Sequence, residues 1–224
     1  MGHYLLGDVT SAIGSEERAV QISADPYYRQ FPTLFIGMGH LFNGDAEKAM
    51  EYLKEVEDFS KKFGVEALET AAKAFMGAVL LTKGELKRGL KIAEDARKKF
   101  LERERKWAVA FAEVMLGQFY LQVATRRSGP NLPLKLKNIP LLMAKFPLAA
   151  NKSKQHFLEC IRISEEMGAM AIAAESYLGL GILHKFKGRK DQARKAISKA
   201  IQLYEKCETK VYVERAEETL KSLG

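Results

Sequence analysis

Cysteine, tryptophan and proline are scarce in this chain of 224 residues, which contains two, one and six of them. Two cysteines, Cys160 and Cys207, are too few for the disulfide framework on which many small secreted domains depend. Hydrophobic residues make up 47% and charged residues 29% of the sequence, as in ordinary globular chains with an apolar core. The sequence therefore predicts a globular fold held together by apolar packing.

Long apolar segments are absent as well. No run approaches the roughly 18 consecutive apolar residues of a membrane-spanning helix, and no signal peptide opens the sequence. We therefore expect a cytoplasmic protein. The net charge of +8 permits acidic partners, but most lysines and arginines are interleaved with acidic residues along predicted helices, which is typical of solvated helix faces.

The patterns of nucleotide, metal and acid–base sites are missing too. No GxxxxGK[ST] phosphate loop occurs, and no two histidines stand four residues apart. Adjacent acidic pairs such as Glu16-Glu17 and Glu165-Glu166 point away from each other on a helix, whereas a general acid and a general base must converge. We expect no catalytic residue, no cofactor and no metal, so the protein is not expected to be an enzyme.

What the chain does contain is a repeated pair of amphipathic helices. In residues 174–207, a first helix with Gly181 near its middle is followed by a turn at Gly188 and a second helix with Ala193 and Ala200. Small residues at these offsets allow the two helices to cross closely and the next pair to pack on both. This 34-residue pattern resembles the tetratricopeptide repeat.

The pattern recurs upstream at regular intervals. Equivalent places in four first helices are marked by Ile36-Gly37, Met76-Gly77, Leu116-Gly117 and Leu180-Gly181. The predicted units are residues 1–24, 30–63, 70–103, 110–167 with an insertion at 124–147, and 174–207, followed by a capping helix at 211–223. The sequence thus predicts an all-α fold, a right-handed α-α superhelix of about five helix pairs with a C-terminal capping helix, in a single repeat domain.

Glycines mark the predicted turns within the helix pairs, at Gly7, Gly44, Gly84 and Gly188. Second helices are expected at about 46–63, 86–102, 148–167 and 190–206. Counting back from Gly7 places the first residue inside a helix, so we expect a fragment of a longer array.

Three of the four histidines, His3, His40 and His184, fall at position 11 of predicted first helices. Repeats of this kind often have tyrosine there, as this chain does at Tyr120. We therefore expect these histidines to be packing residues.

The insertion is both apolar and basic. Residues 132–146 include eight large apolar side chains, and residues 124–147 carry five positive charges and no negative one. Leaving such side chains in water would cost more than the stability of an ordinary domain, so we expect residues 132–146 to pack on the array near Phe111, Val114, Leu178 and Ile182. A docking element for an anionic membrane or a partner is the alternative.

The resemblance implies a concave surface formed by positions 2, 5, 9 and 12 of the first helices. We expect this apolar surface to bind a protein or peptide, a second copy of the chain, or the insertion. The predicted surface consists of Phe31, Leu34, Met38, Leu41, Ala74, Ala78, Leu81, Phe111, Val114, Gln118, Leu178 and Ile182.

A narrower resemblance covers most of the chain. The segments KFPLAANKSKQHFLECI at 145–161 and VYVERAEETLKSLG at 211–224 are similar to the C-terminal region of large bacterial proteins. In those proteins a class III adenylate or guanylate cyclase domain precedes an AAA-type ATPase domain and tetratricopeptide repeats. The resemblance implies a non-catalytic interaction or scaffold module whose partners include the cyclase and ATPase domains of the parent chain, with a homodimer as a further option.

Binding of nucleic acid or an anionic membrane through basic faces is the alternative function. It rests on the net charge and on the basic run formed by Arg189, Lys190, Arg194, Lys195 and Lys199. The run is interleaved with other residues and lacks aromatic rings on which bases stack, which disfavours a nucleic-acid site.

Overall fold

The computed structural model of the protein describes residues 8–125 and 139–224, with side chains for all of these except residues 139–147. Every regular element in these ranges is an α-helix, which confirms the all-α prediction. The predictions on His3, Gly7 and residues 126–138 fall outside the described residues. The ten helices of the described ranges are α1 (Val9–Ile22), α2 (Pro26–Phe42), α3 (Ala46–Phe63), α4 (Glu66–Thr82), α5 (Leu86–Glu102), α6 (Lys106–Thr125), α7 (Ile139–Glu166), α8 (Met170–Phe186), α9 (Lys190–Lys206) and α10 (Lys210–Lys221).

Two compact units make up the described chain, divided between residues 99 and 100. In the first unit α1 packs on α2, α2 on α3, and α3 on α4, while α2 also contacts α4. In the second unit α6 packs on α7, α7 on α8, α8 on α9, and α9 on α10, while α6 also contacts α8. Consecutive packing with contacts between alternate helices is the arrangement of an α-α repeat array, as predicted.

Local signals in the sequence set the helix ends. Asp25 caps α2 by accepting a hydrogen bond from the Tyr27 backbone N–H at 2.8 Å, and Pro26 takes the first helical position, where no N–H is needed. The turns within the pairs need a left-handed residue, which glycine adopts without strain. Positive φ angles of 81°, 74° and 70° occur at Gly44, Gly84 and Gly188.

Small residues allow the close helix crossings that the repeat pattern predicts. A Cβ added to Gly181 of α8 would collide with Ile197 of α9 and come within 3.3 Å of the Ala193 carbonyl oxygen. In the first unit, a Cβ added to Gly77 of α4 would lie 3.1 Å from the Gly89 carbonyl oxygen of α5. These crossings leave no room for larger side chains.

A further close approach was not predicted from the sequence. The fully buried ring of Phe157 on α7 lies between Gly117 of α6 and Gly179 of α8. A Cβ on Gly117 would lie 2.7 Å from Cδ1 and Cε1 of the ring, and a Cβ on Gly179 would lie 2.7 Å from Cε1 and Cε2. One ring therefore occupies the space that two glycines leave open among three helices.

Helix α7 begins nine residues before the predicted start at residue 148, because Pro140 was interpreted as a break within the insertion. Pro140 stands in the first turn, where a missing backbone N–H forfeits no hydrogen bond, and the helix continues through Pro147. Residues 139–147 are thus helical, so this second helix starts earlier than predicted. The predicted packing of the apolar side chains of residues 132–146 falls outside the described residues, and the division into repeat units within one domain stays a prediction.

Helix α6 has the length and composition of a membrane span, and it is the one such helix within the described ranges. Its most apolar window has a mean hydropathy of 1.2, and 67% of that window is buried inside the protein. A buried core helix meets the same two criteria.

Candidate functional site

Most of the predicted surface in the first unit is covered. The buried members are Leu34, Met38, Leu41, Ala78 and Leu81. Ala74 is half-buried, whereas Phe31 is 40% exposed and packs edge-on against Tyr27 with their ring centroids 5.6 Å apart. Of this set, Phe31 is the side chain most open to a ligand.

The predicted surface in the second unit is partly open. Val114 and Leu178 are buried, and the remaining three, Phe111, Gln118 and Ile182, are half-buried. The ring of Phe111 stacks on that of Trp107 at a centroid distance of 5.8 Å. Binding of a ligand to either part of the predicted surface stays a prediction.

Glu175 of α8 joins four helices of the second unit through hydrogen bonds. Its carboxylate accepts from the Gln118 amide of α6 at 2.9 Å, from the Tyr204 hydroxyl of α9 at 2.6 Å and from the Arg215 guanidinium of α10 at 2.9 Å. Burial and then the nearby Glu175 charge raise the pKa of Tyr204 well above its ordinary value, so the phenol remains a donor. Gln118, which we expected to face a ligand, is therefore engaged in this network.

A buried acid and a histidine pair between α6 and α7. Glu113 is fully buried, and its Oε2 lies 2.6 Å from Nδ1 of the half-buried His156. A carboxylate that orients an imidazole is also found in catalytic triads, where a nucleophile completes the set. Here the neighbouring Cys160 thiol donates to the Ala110 carbonyl oxygen at 3.2 Å, and burial raises its pKa to about 11, so it stays protonated and is a poor nucleophile.

In two helix pairs, a ring of the first helix stacks on a ring of the second helix, and the stacked rings stand at equivalent positions of the repeat. His40 of α2 stacks on Tyr52 of α3 with centroids 5.5 Å apart and planes 7° apart, as expected of a packing residue. Tyr120 of α6 stacks on His156 of α7 with the same centroid distance and planes 5° apart. The corresponding residues of α8 and α9 are His184 and Ala196, so no ring from α9 faces His184 there.

A groove of about 730 Å³ lies beside Ala196, lined by residues of α7, α8 and α9 and the turn between the last two helices. Its lining includes Lys154, Arg189, Lys195 and Lys199, which we call the groove cations. None of the described residues that line it is acidic. Sequence reasoning noted the basic run along α9 but not Lys154, which α7 brings to the same place.

The groove cations act on His184, which also lines the groove. Burial first, and then the charges of Arg189, Lys154 and Lys187, lower the pKa of His184 below its usual value. Its Nδ1 is buried and has no hydrogen-bond partner among the described residues. The groove is therefore a positive environment in which an anion would be stabilised.

The helix pair α8–α9 thus combines a glycine turn with small residues at each crossing point. Residues 174–207 match the family model of the tetratricopeptide repeat. Tetratricopeptide repeats are typically non-catalytic helical scaffolds that mediate contacts between proteins. No curated protein matches the chain.

The first unit has a groove at the equivalent place of a helix pair, but its charge is reversed. This groove, of about 310 Å³, is lined by His40 and Tyr52 together with three acidic side chains and one lysine: Glu17, Glu51, Glu55 and Lys48. Counted as in the tetratricopeptide repeat, Glu51 and Glu55 correspond to Lys195 and Lys199. The same position of the fold therefore carries opposite charge in the two units.

Among the residues that the structure describes, no group of three or more His, Cys, Asp or Glu side chains is close enough together to hold a metal ion. Two surfaces are therefore candidates for binding a partner. One is the exposed part of the predicted concave residues, and the other is the basic groove lined by residues of α7, α8 and α9.

Proposed function

We propose that this chain is a non-catalytic protein–protein interaction module that serves as the regulatory or scaffolding arm of a larger signalling protein. The observation that carries this proposal is the match of residues 174–207 to the tetratricopeptide repeat. Stacked helix pairs of this kind offer extended surfaces to other proteins. The packing of α8 and α9 on each other, and on α7 and α10, supports the assignment.

The parent protein that we propose is a bacterial cyclase with an AAA-type ATPase domain, located in the cytoplasm. The support is the resemblance of segments 145–161 and 211–224 to the C-terminal region of such proteins. In this setting the partners are the cyclase and ATPase domains of the same chain, and a second copy of the chain is the other candidate partner.

Co-purification of the chain with the separately expressed domains of its parent would test this proposal. Because Phe31 is an exposed ring on the predicted surface, Phe31→Ser should weaken binding about tenfold without loss of helix content. Phe63→Ser is the matched control, since Phe63 is 60% exposed in the same unit but lies outside the predicted surface. A chain that binds neither domain and stays monomeric would contradict the proposal.

A second candidate function is binding of nucleic acid or an anionic membrane, which the groove cations favour. Such binding weakens steeply as salt rises, because counterions are released when phosphates are neutralised. A titration with polyuridylate RNA and with phosphatidylserine vesicles at low and physiological salt separates this function from binding at an apolar surface, which depends little on salt.

A further inference from the structure

Among the described residues, the groove cations lack acidic ion-pair partners, although other cations of the second unit have them. None of the four forms an ion pair with a described residue. Arg162 of α7, in contrast, pairs with Glu159 at 2.6 Å and with Glu166 at 2.5 Å, and Arg215 of α10 pairs with Glu175 at 2.9 Å. Positive charge that the unit leaves uncompensated in a recess is suited to an external anion.

The recess is larger than the groove of the first unit, and here a small residue stands where that groove has a ring. In the pairs α2–α3 and α6–α7, Tyr52 and His156 fill the equivalent position and stack on the first helix. Ala196 leaves this position open in α9, and both Ala196 and His184 line the groove. The missing ring therefore distinguishes this helix pair from the two pairs whose rings are stacked.

The lining favours a peptide over other anionic macromolecules. Its neutral donors, Gln192, Ser198 and Gln202, can hydrogen-bond to backbone carbonyl groups as well as to carboxylates. Single-stranded nucleic acid is usually held by stacking on several aromatic rings. The described lining offers two, the half-buried imidazole of His184 and the phenol of Tyr177, whose hydroxyl is bonded to Glu165 at 2.9 Å. A bilayer surface or a duplex is too broad to enter a recess of about 730 Å³, whereas a few side chains of a peptide fit.

We infer that this groove binds an acidic peptide segment of a partner protein. The segment's carboxylates would pair with the groove cations, and its backbone would bond to the neutral donors. This inference rests on the proposed interaction function and gives it a partner chemistry. It places binding on a surface different from the predicted apolar one.

The test uses the full chain and a fluorescein-labelled peptide of alternating Glu and Ser residues, with binding followed by fluorescence anisotropy. The double variant Lys195→Glu with Lys199→Glu should bind at least about tenfold more weakly, because two attractions become repulsions. The control is Lys206→Glu with Lys210→Glu, which makes the same change in net charge at exposed sites outside the groove. It should change binding by less than about twofold.

A third variant tests the groove without changing its charge. Ala196→Tyr places a ring where Tyr52 and His156 stand in other pairs, so it should fill the recess and stack on His184. We expect it to weaken peptide binding about tenfold or more while leaving the melting temperature equal or higher. If the variant is stably folded, its loss of peptide binding cannot be attributed to unfolding.

Three results would overturn the inference: equal losses in the groove variant and its charge-matched control, unchanged binding by Ala196→Tyr, or tighter groove-dependent binding of polyuridylate RNA or phosphatidylserine vesicles than of the peptide. If the peptide fails to bind but a partner still depends on Phe31, the groove inference is wrong and the proposed function stands. If partner binding also fails, both are wrong.

Discussion

Replacement of Gly179 by alanine should destabilise the second unit through a single methyl group. The new Cβ would lie 2.7 Å from Cε1 and Cε2 of Phe157, closer than the 3.0 Å below which something must shift. The ring has little room to move, because a Cβ on Gly117 would also lie only 2.7 Å from its Cδ1 and Cε1 atoms. The methyl group therefore forces a displacement of α6, α7 or α8.

Two opposing effects decide the magnitude. Alanine is favoured over glycine in a helix by about 1 kcal/mol, whereas overpacking of a filled core costs about 1–3 kcal/mol. Because three atoms of a fully buried ring, Cζ, Cε1 and Cε2, are overlapped, we take the upper part of the second range and expect a net loss of about 1–2 kcal/mol. For a chain of this size, that loss lowers the melting temperature by roughly 2–8 °C.

Gly14 in α1 provides the matched control, since a Cβ added there would meet nothing within 4 Å. Gly14→Ala should keep only the helix-propensity gain of about 0.5–1 kcal/mol. Urea unfolding of the second unit can be followed by the fluorescence of Trp107, the single tryptophan of the sequence, which lies in that unit. Circular dichroism reports on both units together.

A double-mutant cycle with Phe157→Leu isolates the clash. The leucine variant alone should lose stability because it leaves a cavity, and the smaller side chain should relieve the collision in Gly179→Ala. We expect the double variant to be more stable than the sum of the single effects by at least about 0.5 kcal/mol. Additive effects, or a Gly179→Ala protein as stabilised as Gly14→Ala, would refute this account of the packing.

Three further predictions concern other positions of the second unit. Ala200→Leu should lower the free energy of unfolding by about 1–3 kcal/mol, because Ala200 is fully buried at a helix crossing. Lys199→Leu, at an exposed position, should lower it by less than about 0.5 kcal/mol. Equal effects in urea unfolding would contradict the repeat register. Iodoacetamide near pH 8 should modify the half-buried Cys207 before the buried Cys160, whose pKa is raised to about 11, as mass spectrometry of partly labelled protein would show; the reverse order would be inconsistent with the described burial. The pKa of His184 is lowered from 6.5 in the folded protein, so the unfolded chain binds the proton first as the pH falls. Stability should therefore decrease as the pH drops below about 6.5, and His184→Gln should reduce this decrease in unfolding curves at neutral and mildly acidic pH. An unchanged decrease would assign the effect to other groups.

Local signals were sufficient to predict several helices to the residue. The second helices predicted at 46–63, 86–102 and 190–206 have these bounds in the structure, because a glycine turn precedes each of them and their apolar faces follow the helical period. The start of α7 was wrong because proline usually ends a helix, yet Pro140 is accommodated in the first turn and Pro147 within the helix.

Packing between helices was harder to predict. The repeat offsets identified Gly181 and Ala200, but Gly179 lies outside those offsets and is needed only because Phe157 arrives from α7. The same limit applies to the groove. The basic residues of the groove on α9 were visible in the sequence. Its shape depends on the residue that follows position 11 by twelve residues, which is Ala196 in the pair that contains His184 and Tyr52 in the pair that contains His40. A comparison of those two positions between repeats would have indicated the opening.

The network at Glu175 also bears on how the chain is made. During translation, Glu175 is added to the chain 29 residues before Tyr204 and 40 residues before Arg215. Until α9 and α10 have emerged, the carboxylate can bond to Gln118 of α6, made 57 residues earlier, but to neither of its two later partners. The nascent second unit therefore cannot complete its polar junction during most of its own synthesis.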